Sequence, residues 1–103
     1  MTAYKYKVSP RCYQKIYSFY HHVALKYRHD YSEEDMHRNI NETVDSMYEI
    51  ERTLLRREPT LTRWKGYYMA NTDKWYFAYL VEGDTVKIMD ACHAQNMHNP
   101  KKG

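Results

Sequence analysis

The stretch "WYFAYLVEGDTVKIMDACH", residues 75–93, decides the fold. Two runs rich in aromatic and β-branched residues flank Glu82-Gly83-Asp84. Gly83 can take a positive φ at no steric cost, so "EGD" reads as a tight turn between two antiparallel strands. The spacing predicts one strand over 75–81 and a last strand over 85–92. Side chains alternate along a strand. Trp75, Phe77, Tyr79 and Val81 therefore share one face, and Tyr76, Ala78 and Leu80 the other.

Upstream, "RWKGYYMA" (63–70) is aromatic and strand-like, and "NTDK" (71–74) is a turn signal. These make the hairpin into a three-stranded meander. At the start of the chain, Tyr4, Tyr6 and Val8 alternate with Lys5 and Lys7, the period of a half-buried strand over 3–8. Ser9 then caps a helix, with Pro10 at its first position. Tyr13, Ile16, Tyr17, Tyr20, Ala24 and Tyr27 form one apolar stripe, away from which Lys15, His22, Lys26 and His29 fall. Ser32 opens a second helix, read as 33–57, with Asp35 completing a variant of the capping box. Its stripe is Met36, Ile40, Thr43, Met47, Ile50 and Leu54, and Pro59 blocks its continuation.

The order β-α-α-β-β-β predicts an α+β fold, an antiparallel sheet with a helical hairpin packed on one face. Strict alternation puts Val86, Ile88 and Cys92 on the helix-covered side with the aromatic set. It leaves Tyr76, Ala78, Lys87, Ala91 and His93 on the opposite face, small residues flanked by polar ones, as a shallow groove requires. One domain is expected over 1–98, followed by a flexible tail, 99–103.

The chain has 103 residues, 43% of them hydrophobic and 28% charged, which suits one ordinary core. Twelve Tyr suit a small core with a wet edge, and they also suit stacking on nucleobases. Two distant cysteines, Cys12 and Cys92, make no disulfide framework, and no run approaches the roughly 20 apolar residues of a membrane span. A reduced, cytoplasmic protein without a membrane segment is expected. Net charge is +3, unevenly spread: residues 1–31 carry six Lys/Arg against one acid, residues 32–59 four against eight. Basic segments that meet in the fold would favour an anionic partner such as RNA or an acidic protein segment.

The end of the last strand, "DACHAQNMH" (90–98), carries Asp90, Cys92, His93 and His98, all possible metal ligands. Neighbours at 92 and 93 point to opposite faces of a strand, so they cannot converge on one ion without a bend. No metal or cofactor is expected, and Cys92 reads as a small core residue.

"YLVEGDTVKIMDACH" (79–93), with the first strand leading into Ser9-Pro10 and the overall element order, resembles the RelE/ParE superfamily of toxins from bacterial type II toxin–antitoxin modules. The resemblance covers nearly the whole chain. It implies a cytoplasmic toxin held by a cognate antitoxin. RelE-like members cut mRNA on the ribosome without a metal; ParE-like members inhibit DNA gyrase and have no nuclease site. The chain departs from the RelE-like pattern where Tyr76 stands in place of an Arg, and where Ala94-Gln95 follows His93 in place of x-Arg. A degenerate member that only binds antitoxin is therefore a third expectation.

RNA cleavage by 2′-OH attack needs a base, an acid and positive charge on the phosphorane-like transition state. On this reading His93 and His98 exchange protons, with Lys65 and Tyr76 completing the catalytic set. Arg63 and Lys87 hold phosphate, Trp64 stacks on a base, and Gln95 and Asn96 contact RNA. The bland alternative is that His93 ends the strand and the tail is solvated polar chain.

Overall fold

The computed structural model describes residues 4–53, 56–59, 61–72 and 74–97. After Tyr4 the chain forms β1 (Lys5–Val8), α1 (Pro10–Lys26), α2 (Glu33–Ser46), a 3-10 turn (Met47–Glu49), the single-turn α3 (Ile50–Thr53) and a second 3-10 turn (Thr62–Trp64). Then come β2 (Tyr68–Thr72), β3 (Trp75–Glu82), β4 (Thr85–His93) and the one-turn α4 (Ala94–Met97). The fold is α+β, with one four-stranded sheet ordered β1-β4-β3-β2.

Both helix starts carry the expected caps. Ser9 Oγ accepts from Cys12 N–H, and Pro10 follows it. Ser32 and Asp35 form a reciprocal capping box. Asp35 is held below the usual carboxylate range, chiefly by the Ser32 backbone N–H and then by Arg38. The second helix ends earlier than the expected 57. Arg56 is already outside the helix, and Arg57 pairs with Met69 in an isolated bridge, its carbonyl accepting the Met69 N–H at 3.0 Å. Leu54, expected on the stripe, lies outside the described residues, as do the tail 99–103 and His98.

The sheet is mixed, which corrects the antiparallel expectation. β2, β3 and β4 run as an antiparallel meander, but β1 lies parallel to β4, Tyr6 opposite Val86. Only a hairpin forces antiparallel neighbours. β1 reaches β4 after the whole chain has intervened, so its direction was never fixed by a turn.

The strand expected over 63–70 begins only at Tyr68. Gly66, at φ 97°, breaks the extended run, and Trp64 turns under the sheet. The turn expected at 71–74 is correspondingly narrower, since Asn71 and Thr72 belong to β2. Asn71 Nδ2 still donates across it to the Trp75 carbonyl. Gly83, at φ 61°, makes the β3–β4 turn as expected.

The main core lies between the helices and one face of the sheet. Cys12, Ile16 and Tyr20 of α1 and Met36 and Ile40 of α2 meet Trp75, Phe77, Tyr79, Val86 and Ile88. Polar tips buried here are paired. Trp75 Nε1–H donates to Tyr20 Oη at 3.1 Å. Thr43 gives its own proton to the Asn39 carbonyl, so Tyr20 donates in the 3.3 Å contact with Thr43. The reverse face of the sheet is not the open groove expected. A second cluster, Leu61, Trp64, Met69, Ala78 and Cys92, covers it, with Tyr67 and Tyr76 packed alongside.

Ser9 joins helix to sheet, because the same hydroxyl that caps α1 donates to the Met89 carbonyl at 2.8 Å. Ser9→Ala loses both bonds and should cost about 1–2 kcal/mol in urea unfolding, with unchanged m.

Candidate functional site

The site begins with a bulge. Ala78 pairs with Asp90 and Tyr79 with Ile88, so Met89 has no partner across the sheet. One extra residue reverses the alternation beyond it. Val86 and Ile88 face the helices as expected, but Ala91, opposite Phe77, now does so too. Cys92 joins the cluster on the reverse face. His93 pairs with Trp75 and lies on the helix side. The strict alternation had placed Cys92, Ala91 and His93 each on the other face. The bulge corrects all three at once.

The bulge also sets the position of Asp90. β1 ends opposite Ile88, so β4 has an open edge from Met89 onward, and the first two turns of α1 run past it. The Asp90 side chain is 9% exposed. Its Oδ2 accepts the Trp64 indole N–H at 2.9 Å, and its Oδ1 accepts the Ala91 N–H at 2.8 Å. Three cations surround it: Lys15 Nζ at 3.5 Å, Arg11 Nε at 3.7 Å and Arg63 Nε at 3.9 Å. These are Coulombic contacts, longer than good hydrogen bonds. One carboxylate cannot neutralise three cations, so the surroundings of Asp90 are electropositive and favour a second anion.

Three neighbouring hollows share those cations. One, of about 340 Å³, lies between Lys15, Phe19, Arg63, Trp75, His93 and Asn96. A second runs over the outer side of α1 between Arg11, Gln14, Lys15 and Ser18. The third reaches Ser9 and Tyr67 past Arg11, Arg63 and Asp90. They form one basic groove along α1 and the open edge of β4.

His93 closes one end of it. Its ring stacks on Phe19 (centroids 4.2 Å apart, planes at 14°) and meets the edge of Trp75 at 5.3 Å. The Gln95 backbone N–H donates to Nδ1 at 3.1 Å, which assigns the proton of the neutral ring to Nε2. The ring is half-buried, oriented by two aromatics, and lines the hollow that Lys15 and Arg63 share.

The other expected site residues are dispersed. Arg63 and Asn96 line the same hollow as His93, and Gln95 is exposed beside it on α4. Trp64 is buried and bonded to Asp90, so it has no face to offer a base. Tyr76 is half-buried against the second cluster. Lys65 is exposed at the end of the 3-10 turn and outside the groove. Lys87 pairs with Glu82 at 3.4 Å, six residues back along β4, about 20 Å from His93.

Sequence reading missed Arg11, Lys15 and Phe19, and it did not give Asp90 its role. The signals were present: Arg11 and Lys15 are one turn apart on α1, and Asp90 is a charge inside an apolar strand. Cys92 also lines the His93 hollow, but burial disfavours the thiolate of both cysteines. Burial pushes the Cys12 thiol up to about 12, with Asp90 adding to it. Burial also raises Cys92, against the opposing pull of Arg63. Among the described residues no three His, Cys, Asp or Glu side chains are placed to share a metal ion, and no helix is long and apolar enough to cross a membrane.

No protein-family model matches the chain, and no curated protein matches it at a significant level.

Asp90→Ala leaves the buried Trp64 N–H without an acceptor and should cost about 2–3 kcal/mol in urea unfolding. Asp90→Asn keeps that acceptor and should cost less than Asp90→Ala. A loss just as large from the amide would mean that charge, and not the indole bond, holds this strand end. Both thiols should resist iodoacetamide at about pH 8 until the chain unfolds, because the reagent needs thiolate and access. Mass spectrometry of native and urea-treated protein checks this.

Proposed function

We propose that the chain is the toxin of a type II toxin–antitoxin module, of the RelE-like kind its sequence resembles: a metal-free endoribonuclease that cuts mRNA on the ribosome, with His93 as its proton-transfer group. The observation that carries this reading is the convergence of Lys15, Arg63 and His93 on one hollow at the open edge of β4. A phosphodiester seated there meets the cations that its transition state requires, with an imidazole beside them. Arg11, Lys15 and Arg63, from α1 and the second 3-10 turn, supply the positive charge around Asp90. The rest of the reading follows the same resemblance: a cytoplasmic protein, restrained by a cognate antitoxin.

Proton transfer at His93 has a structural condition. Nδ1 accepts the Gln95 N–H, and Nε2 carries the ring proton. For the ring to act as a base, or to become imidazolium, the Gln95 bond has to give way. α4 would therefore loosen when RNA seats, and apo geometry of this kind does not exclude a catalytic role. The same bond favours the two alternatives that have no nuclease site. With its lone pair tied, His93 is a hydrogen-bond donor, which fits a ParE-like inhibitor of DNA gyrase or an antitoxin-binding member without toxicity.

In vitro translation with toeprinting separates these readings. Cleavage within ribosome-bound mRNA is expected, falling by about 10²–10⁴-fold in His93→Gln with folding unchanged. Intact mRNA at doses that arrest growth, together with lost supercoiling by purified gyrase, would replace the nuclease reading with the gyrase one.

A further inference from the structure

α1 is longer than its part in the groove. Its 17 residues include no Asp or Glu, and its cations fall in one row. At about 100° per residue, Lys15, Ser18, His22 and Lys26 all stand within roughly 60° of Arg11. The buried Ile16 and Tyr20 stand on the far side of the helix. Lys15 is half-buried; Arg11, Ser18, His22 and Lys26 are exposed. Leu25, 74% exposed, lies in the same row.

A basic helix face is often only a solvated one, but three features set this one apart. Arg11 occupies the first turn, where the helix dipole is positive and a cation costs stability. Asp90 offsets that cost for Arg11, yet it also faces Lys15 and Arg63. The hollow between Arg11, Gln14, Lys15 and Ser18 adjoins the His93 hollow through Lys15, so the row opens into the candidate site. Lys26 rests its ammonium over the Tyr27 ring at 5.4 Å, which supports the far end of the row. From Arg11 to Lys26 the row spans about 22 Å.

We propose that this face of α1, Arg11–Lys15–Ser18–His22–Lys26, is a track for the phosphodiester backbone of single-stranded RNA leading to the His93 hollow. A single row of cations follows one backbone, and the hollow it enters has the volume of a small ligand, not of a duplex. Ser18 and His22 supply hydrogen-bond donors between the cations, and Leu25 supplies apolar contact for a base. The ligand class rests on the RNA reading above; the track itself rests on the cation row of α1 and the hollow it adjoins.

The test uses the full chain carrying His93→Gln, so that RNA stays intact. Unstructured oligoribonucleotides of about four and about twelve nucleotides are titrated by fluorescence anisotropy over a range of salt. The longer strand should bind at least about tenfold more tightly than the shorter. Adding Lys26→Ala should weaken the longer strand about three- to tenfold, leave the shorter within about twofold, and flatten the salt slope by about 0.7. Equal binding of both lengths, no effect of Lys26→Ala, or equally tight duplex RNA would overturn the track. Absence of cleavage by the unmodified chain, with the Lys26 effect intact, would remove the nuclease reading and leave the track standing. Cleavage that depends on His93, with no Lys26 effect, would do the reverse.

Discussion

Asp90 is a charge inside a strand of apolar neighbours, and the sheet admits it by inserting Met89 without a partner. That bulge turns the carboxylate toward the reverse face, where the Trp64 indole N–H meets it, and toward the open edge, where Arg11 and Lys15 pass. A buried carboxylate is tolerable only when its oxygens are bonded and its charge is answered. Here four side chains from two elements, α1 and the 3-10 turn Thr62–Trp64, meet that demand. The site is thus assembled by the requirements of one buried charge.

The rest of the architecture depends on the same point. Trp64 can reach Asp90 only because Gly66 breaks the extended run and lets 61–67 fold beneath the sheet. That segment covers the reverse face and brings Arg63 to the edge of β4. On the helix side, the reversed alternation lays His93 on Phe19 and Trp75. Ser9 fastens the start of α1 to Met89, the bulge residue itself, and so fixes how far Arg11 and Lys15 lie from the carboxylate.

What was legible in the sequence is what local physics decides. The two caps, Ile16 and Tyr20 of the first apolar stripe, Met36 to Ile50 of the second, the Gly83 turn and the β3–β4 alternation up to Ile88 all depend on residues a few positions apart; Tyr17 and Tyr27, expected on the first stripe, are exposed. What was not legible depends on distant partners. The bulge exists because Asp90 meets Trp64, 26 positions away. β1 lies parallel because no turn links it to β4. Trp64 read as a free aromatic because its donor has an acceptor only in three dimensions. The site followed the same division: His93 stood out for its chemistry, whereas Lys15 and Arg11 looked like solvent-facing charges until the edge of β4 was placed beside them.

The bulge at Met89 turns Asp90 to the reverse face of β4 and His93 to the helix side. Nuclear Overhauser contacts from the His93 ring protons test it most directly. Strong contacts to the Phe19 and Trp75 rings are expected, and none to Tyr76 or Trp64. Contacts to Tyr76 and Trp64, with none to Phe19, would restore the unbroken alternation, place His93 on the reverse face, and contradict the site described above.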